Sequence, residues 1–505
     1  MKKLLTLFLT LCLLVTASGC GKSESDEDIS STASLEETST GDNVESNESV
    51  NPAESTTSAT QSKSATSSKG ANSTSNVPLI KDLKGYTFTI ATTLYENEQK
   101  VELGVSDYLD AVYLRNKKIE QQYNCKIRYE YYEPQTFYNT AQTSIMAGDK
   151  FADIIDSQLF SFGALYMNKY LYNLEKIPNL KLDSSIWIKE YKEKFKFKDG
   201  MYGVTTKGLN PAANMSGTAV HYNKTLVANL KLTDPVTHVK NGTWTWDTFR
   251  DMMLAARKDL NGDGKYNEKD RLGCTSASYD GLVPFFLSSG VNAVIKDSSK
   301  NLQYNMNNAA AATALLKFSS IFTSSDGAFY NTMDYHKQLS LYGNGNALFY
   351  IGSIKTPEDE FSRMSFEDAI APIPLYKAGE KYIAAASHNI KVFSVPKTVK
   401  NPENTGLIFQ ALAEAAEPEY NKYINTEIYP LFRSESSVEM IDKYIVPNLY
   451  IDYMMLSKGN SLPVYNATEC AIANPIFDTS VKASDLVQGY GPGAQEILAQ
   501  MFNNR

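Results

Sequence analysis

The chain has 505 residues, of which 42% are hydrophobic, 11% aromatic and 21% charged. This composition is typical of a globular protein with roughly two to four domain-sized units. Its 49 Lys and Arg residues against 57 Asp and Glu residues give a net charge of −8, which argues against a nucleic-acid-binding surface. After residue 20, no apolar run approaches the roughly 18 residues of a membrane-spanning helix, so the sequence excludes a polytopic channel or transporter. Five cysteines are too few for a disulfide-stapled scaffold.

The first twenty residues have the pattern of a secretory signal. Lys2 and Lys3 precede an apolar run over residues 4–15, and small residues then lead directly into Cys20. The apolar run is too short for a span, so the pattern predicts a signal peptide over residues 1–19. The segment Ala-Ser-Gly-Cys resembles a bacterial lipobox, which implies that Cys20 becomes the acylated first residue of the mature chain, carrying for example palmitate. The alternative is an ordinary signal peptide with an incidental cysteine.

The composition changes completely in the segment predicted as a tether, residues 20–77. Residues 22–76 contain 24 Ser or Thr, ten acidic residues, three lysines and no aromatic residue. Such a segment cannot bury enough apolar surface to offset the ordering of its backbone, so we expect it to be disordered. A lipidated cysteine followed by a flexible spacer fits the extracellular face of a Gram-positive cell membrane, with the lipid as the only membrane contact.

The folded body, residues 78–505, opens with strand and helix signals in alternation. Period-two patterns predict strands, and apolar residues at helical spacing predict helices. The elements expected in chain order are a strand over 86–93, a helix over 107–123, a strand over 125–133, a helix over 135–147 and a strand over 151–156. This order indicates a parallel sheet with helices on both faces.

The rest of the body continues as a mixture of helices and strands. The sequence predicts helices over 246–258, capped by Thr245, over 309–322 and over 403–416, and strands over 347–351 and 390–395. A glycine-rich segment from Gly489 to Gly493 precedes a predicted terminal helix, with Pro492 at its start. Two α/β lobes, with the chain crossing between them more than once, fit this order.

Several short motifs follow one another along the body. They are Gly148-Asp-Lys-Phe-Ala-Asp153, Asp199-Gly-Met-Tyr-Gly203, Ala219-Val-His-Tyr-Asn-Lys224, Thr245-Trp-Asp-Thr-Phe249, Tyr342-Gly-Asn-Gly-Asn-Ala347, Ala371-Pro-Ile-Pro374, and Val395-Pro-Lys397 followed by Asn401-Pro-Glu-Asn404. In this order they resemble the extracellular solute-binding proteins of ABC importers, in the class that includes maltose-binding protein. The resemblance covers nearly all of residues 80–505.

The resemblance implies a two-lobe α/β fold of the type II periplasmic-binding-protein kind, with hinge strands between the lobes. We expect lobe 1 over about 78–203 plus 340–390, and lobe 2 over about 204–339 plus 391–505. The resemblance also implies a monomeric binding protein rather than an enzyme, with a carbohydrate ligand and ABC permease subunits as partners.

Ligand contacts in this class lie at strand ends that face the cleft, where aromatic rings stack on sugars and polar groups bind hydroxyls. The residues that the resemblance places there are Tyr95, Asp156, Ser157, Gln158, Tyr279, Asp280, Tyr350, Ser353, His388, Asn389 and Tyr465. Trp244 and Trp246 could also stack on a sugar, but their position at a helix start favours the core.

A twelve-residue loop from Asp259 to Asp270 resembles a calcium-binding loop of the EF-hand or dockerin type. Its ligands would be Asp259, Asn261, Asp263, the carbonyl of Lys265, and Asp270, at loop positions 1, 3, 5, 7 and 12, with glycine at position 6. The alternative is an ordinary Asp-Gly turn. We expect a structural Ca²⁺ here.

Motifs for catalysis are missing: the four histidines lack metal-ligand spacing, and the sequence contains no GxSxG or P-loop motif. A lipid-anchored carbohydrate-binding protein of an importer is therefore the favoured function. The alternatives are a surface glycan-binding adhesion or sensor module, a binding protein for peptides or another polar solute, and a tethered glycan-degrading enzyme.

Overall fold

The computed structural model describes residues 77–94, 98–322, 325–330, 332–356, 364–386, 390–457 and 463–503. The predicted signal peptide, the lipidation site at Cys20 and almost all of the tether lie outside the described residues. In the part that is described, no helix is both long and apolar enough to cross a membrane.

The strands are β1 (Tyr86–Thr93), β2 (Cys125–Tyr132), β3 (Ile154–Gln158), β4 (Lys196–Phe197), β5 (Gly200–Met201), β6 (Thr218–Asn223), β7 (Leu272–Ser276), β8 (Val294–Lys296), β9 (Leu302–Tyr304), β10 (Ala347–Ser353), β11 (Asp368–Pro372), β12 (Ala384–Ala385), β13 (Lys391–Ser394) and β14 (Leu449–Tyr450).

The helices are α1 (Asp107–Tyr123), α2 (Pro134–Met146), α3 (Leu159–Met167), α4 (Lys189–Lys194), α5 (Pro211–Asn214), α6 (Lys224–Asn229), α7 (Pro235–Lys240), α8 (Trp246–Ala256), α9 (Tyr279–Leu287), α10 (Ala309–Ile321), α11 (Tyr335–Gly343), α12 (Pro402–Ala415), α13 (Glu417–Tyr423), α14 (Glu435–Met440), α15 (Pro463–Phe477) and α16 (Ala483–Leu498).

The first sheet has the strand order β13-β3-β1-β2. Strand β1 runs parallel to both β2 and β3, and β13 runs antiparallel to β3. The predicted parallel start is therefore confirmed. Helix α1 begins where the Ser106 side chain accepts the Leu109 N–H, and it ends at Asn124, which takes a left-handed conformation with φ 42°.

The second sheet has the strand order β11-β6-β10-β7, with β6 antiparallel to both of its neighbours and β10 parallel to β7. Helix α8 packs against this sheet and is capped by Thr245, whose hydroxyl accepts the Thr248 N–H. Trp244 and Trp246 are fully buried, and their indole N–H groups donate to the Pro372 carbonyl and the Ser288 hydroxyl. Their predicted place in the core is confirmed.

The sheets correct the predicted lobe boundaries. Residues 340–390 were expected in lobe 1, but β10 and β11 belong to the second sheet. Residues 391–505 were expected in lobe 2, but β13 pairs with β3 in the first sheet. The physical reason is that long-range pairing, which the local sequence does not specify, decides the sheet that a strand joins. The final helices, α15 and α16, do pack on the second lobe, through α9 and α10.

Segments that pass between the sheets are held to each other by backbone bonds. Val204 bridges Phe393, and Gly217 bridges Ala386. A β-carbon on Gly217 would lie 3.2 Å from that of Ala384, so glycine allows these crossing segments to approach closely. A few such crossings between two lobes are typical of proteins that close by hinge motion.

Candidate functional site

A cleft of about 910 Å³ lies between the two sheets and is lined from both lobes. The first lobe contributes β1, β2, β3, β13 and the segment that leads into α1. The second lobe contributes β6, β10, the end of β7 and the starts of α9 and α11. A concave space between lobes with convergent polar groups is a usual place for a small-molecule site.

The cleft face of the first sheet is organised by strand register. Tyr131, Thr92, Asp156 and Phe393 are paired in one row across four strands, and all four line the cleft. Side chains alternate between the two faces of a strand. The register therefore places an aromatic ring at each end of this row and polar groups between them.

Asp156 is the polar centre of that row. Its carboxylate accepts a hydrogen bond from the Thr92 hydroxyl at 2.9 Å and one from the Asn210 amide at 3.4 Å. The Lys391 ammonium lies 4.0 Å away. Burial raises the pKa of Asp156 above its usual value, and Lys391 and the Thr92 hydrogen bond oppose that rise.

Gln158 lies two residues further along β3, on the same face as Asp156, and is paired with Lys391 on β13. Its side chain is 1% exposed. Neither its amide nitrogen nor its amide oxygen has a hydrogen-bond partner among the described residues. A buried amide of this kind is suited to a ligand that brings both an acceptor and a donor.

The second lobe faces these groups with Asp280, Tyr350 and Ser353, which also line the cleft. The Ser353 carbonyl lies 2.9 Å from a ring nitrogen of His221 and accepts the Thr356 hydroxyl at 2.7 Å. The end of β10 is therefore held in place by buried polar contacts.

Tyrosines form much of the remaining wall. Tyr129 and Tyr131 stack with ring centres 5.9 Å apart and planes inclined by 11°. Tyr108 meets Tyr423 edge to face at 5.0 Å, and Tyr335 lies on the opposite lobe. These rings were not among the residues predicted from the sequence. For Tyr129 and Tyr131 the signal was the alternation along β2, but it identifies a cleft residue only when the register with β1 is known.

Three predicted ligand residues do not line the cleft. Ser157 is buried on the opposite face of β3 from Asp156, because neighbouring residues of a strand point to opposite sides. Tyr279 donates to the Asn474 side chain at 3.2 Å, and Tyr465 is 2% exposed and donates to Glu469 at 3.2 Å. The helices that carry these tyrosines, α9 and α15, pack against each other. The predicted residues Tyr95, His388 and Asn389 lie outside the described residues.

The calcium-like loop is held by its own carboxylates. Asp259 accepts the N–H groups of Gly262 and Gly264 at 2.6 and 2.8 Å, which lowers its pKa. Asp270 is fully buried and accepts the Leu260 and Asn267 N–H groups at 3.0 Å each, tying the two ends of the loop together.

The middle of the loop follows the same pattern. Asn261 accepts the Asp263 N–H at 2.9 Å, and Asp263 accepts the Lys265 N–H at 2.8 Å. Each carboxylate oxygen retains a second lone pair, so these bonds leave acceptors for a cation. Within the described ranges, however, no group of three or more His, Cys, Asp or Glu side chains is gathered as metal ligands. A cation here would depend on Asn261 and a backbone carbonyl as well.

Residues 115–430, more than half of the chain, match the family model for bacterial extracellular solute-binding proteins. The chain belongs to this family. Its members bind solutes and are not enzymes. The prediction of a binding protein rather than an enzyme is therefore confirmed. None of the curated proteins has a matching sequence.

Solved structures similar to this solute-binding protein share its type II periplasmic-binding-protein fold. A cyclo/maltodextrin-binding protein complexed with maltotetraose aligns with a TM-score of 0.58 at 12% identity, covering 83% of this chain and 100% of its own. A cyclic α-maltosyl-1,6-maltose-binding protein from Arthrobacter globiformis gives 0.56 at 13% identity, covering 82% and 99%. The GacH receptor of Streptomyces glaucescens, solved unliganded and with acarbose, gives 0.54 at 13%, covering 82% and 98%.

Proposed function

We propose that this solute-binding protein captures a carbohydrate, an oligosaccharide, between its lobes and delivers it to the permease of an ABC importer. The observation that carries the proposal is the row across the first sheet, in which Asp156 and Thr92 lie between the rings of Tyr131 and Phe393. Rings bind the apolar faces of sugars, and carboxylate, hydroxyl and amide groups bind their hydroxyls. Related folds solved with maltotetraose and acarbose support the same class of ligand.

Capture must involve both lobes. A ligand shifts an open–closed equilibrium only by the difference in its affinity for the two states. We propose that Asp156 and Gln158 hold the ligand on the first lobe, and that Asp280, Tyr350 and Ser353 contact it from the second lobe on closure. The closed form would then be presented to the permease.

The proposed location is the extracellular face of the cell membrane, with a lipid on Cys20 as anchor and the predicted tether, residues 20–77, as spacer. The same anchor would suit a surface glycan-binding adhesion or sensor module. Family membership supports the solute-binding site that both functions need. We also propose that the loop from Asp259 to Asp270 binds a structural Ca²⁺.

The ligand class is tested by thermal unfolding of the purified protein, with calcium present throughout. The panel contains maltotetraose, cellotetraose, laminaribiose and tetra-alanine. A ligand at 100 times its dissociation constant stabilises the native state by about 2.7 kcal/mol, which raises the unfolding midpoint measurably. We expect a rise with at least one of the three sugars and none with the peptide. A rise with the peptide alone would replace the carbohydrate by a peptide ligand, and no rise with any of the four compounds would overturn the proposed carbohydrate ligand.

A further inference from the structure

Gln158 is an exception among the buried glutamines of this protein. Gln338 is fully buried, and its amide accepts the Ser276 N–H at 2.8 Å and donates to the Thr332 carbonyl at 2.6 Å. Gln410 is 4% exposed, and its amide accepts the Lys181 N–H and donates to Glu414, both at 2.9 Å. Gln158 is buried as deeply, but both of its amide atoms are without a partner among the described residues.

The polar cleft residues beside Gln158 have other partners. Asp156 accepts from Thr92 and Asn210, and Lys391 donates to the Thr93 carbonyl. A buried polar group without a hydrogen bond destabilises the folded state, because it has lost water and gained nothing in exchange. The unpaired amide therefore does not contribute to holding the described fold together, and it lies on the wall of the ligand cleft.

A primary amide presents its oxygen and one of its N–H groups side by side along one edge. Two adjacent hydroxyl groups on a sugar ring complement that edge, because one can accept from the N–H while the other donates to the oxygen. A carboxylate or phosphate offers only acceptors and would leave the amide oxygen buried and unpaired. The chemistry of the edge therefore distinguishes a neutral diol from an anion.

We propose that Gln158 determines ligand specificity by binding two adjacent, unsubstituted hydroxyl groups of the sugar ring that lies over β3. This inference rests on the proposed carbohydrate function and narrows it to sugars with a free vicinal diol at that position. Removing either hydroxyl leaves an amide atom unpaired in a buried site. Sites built to hydrogen-bond a ligand hydroxyl discriminate strongly against analogues that lack it for this reason.

The first test uses the free protein and needs no ligand. Gln158→Met keeps the length of the side chain and removes the unpaired amide, whereas the matched control Gln338→Met removes a paired one. We expect Gln158→Met to unfold at a midpoint equal to or above that of the native protein, and Gln338→Met to unfold several degrees lower. A loss in Gln158→Met as large as in Gln338→Met would show that the amide is paired in the free protein, which would overturn the inference.

The second test measures affinity by calorimetry for whichever of maltotetraose, cellotetraose and laminaribiose binds. We expect Gln158→Met to weaken binding at least about tenfold, the usual effect of one lost buried hydrogen bond. Monodeoxy derivatives of that sugar, measured against the native protein and Gln158→Met, then form a double-mutant cycle in which one change is in the ligand and the other in the protein. Two derivatives that lack adjacent hydroxyls should lose affinity for the native protein but lose little further for Gln158→Met.

Equal losses in both proteins for every derivative, or unchanged affinity in Gln158→Met, would overturn the assignment of Gln158 while leaving the carbohydrate function in place. Failure of all three sugars to bind the native protein would instead overturn the carbohydrate function itself. The two failures are therefore distinguishable.

Discussion

Asp156 has a carboxyl group whose burial raises its pKa, so its ionisation destabilises the folded protein relative to the unfolded chain. The protonated form is favoured by folding below the unfolded pKa of 3.8, and that advantage is lost as the pH rises through the folded value. We expect Asp156→Asn, which can still accept from Thr92, to raise the unfolding midpoint at pH 7, with a gain that shrinks as the pH falls towards 3.8.

The matched control for that pH profile is Asp297→Asn. Asp297 accepts the Asn301 N–H at 2.8 Å, and this bond lowers its pKa, so its ionised form is favoured by folding. Its replacement should lower the midpoint at pH 7, with a loss that vanishes in acid. Unfolding midpoints of the native protein, Asp156→Asn and Asp297→Asn, measured across pH 3–7, test these opposite pH dependences. A difference for Asp156→Asn that stays constant with pH would show that desolvation does not govern this carboxyl.

Which cleft residues the sequence can predict depends on how local their signals are. The resemblance to solute-binding proteins placed Asp156 and Gln158 at the end of a short strand that the local pattern predicts, and both line the cleft. Tyr129 and Tyr131 lie on a strand that was predicted correctly, but the alternation does not say which face meets the ligand. Tyr465 was predicted as a contact and is in the core, because the packing of α15 decides its surroundings.

At the scale of elements, capping and periodicity predicted most boundaries, and tertiary contacts explain the failures. The third strand was expected from residue 151 but begins at Ile154. At the residue before it, the side-chain carboxylate of Asp153 accepts the Thr89 N–H at 2.7 Å, a bond that a backbone carbonyl would otherwise accept in a regular strand pair. The terminal helix, expected to start at Pro492, begins at Ala483 and includes the segment from Gly489 to Gly493. Packing of α16 against α15 and β9 overrides the weak helix propensity of glycine and proline there.

The proposed Ca²⁺ site in the loop from Asp259 to Asp270 predicts that calcium stabilises the protein. Extracellular calcium modules bind with dissociation constants of about 10⁻⁴–10⁻³ M, so about 10 mM Ca²⁺ should raise the unfolding midpoint relative to EDTA. Asp263→Ala should abolish that rise, because Asp263 supplies a charged oxygen at loop position 5. The control Asp478→Ala removes an exposed carboxylate that also caps a turn, accepting the Ser480 N–H at 2.9 Å. An equal calcium response in native protein and Asp263→Ala would exclude this loop as the site.

At the scale of the whole molecule, the two-lobe architecture was predictable and the boundaries of the lobes were not. The opening alternation of strands and helices fixes a parallel sheet, since β1 pairs with both β2 and β3. The local pattern does not predict the exchange of strands between lobes. Strand β13 returns to the first sheet after the chain has formed the second one. That return depends on contacts between β13 and β3, more than 200 residues apart, and no local pattern encodes it.

The proposed anchor gives the last prediction, since it decides where the whole molecule acts. Each methylene group of an acyl chain that is buried in the bilayer contributes about 0.8 kcal/mol to membrane binding, and two acyl chains anchor a protein stably. Cys20→Ser should therefore move the protein from the membrane fraction of a Gram-positive host to soluble fractions. Cys12→Ser is the matched control, because it changes the other cysteine of the signal region and leaves the lipobox intact. Fractionation and the mass of the amino-terminal peptide measure both variants. Equal membrane retention of native protein and Cys20→Ser, or release of Cys12→Ser as well, would refute lipidation at Cys20.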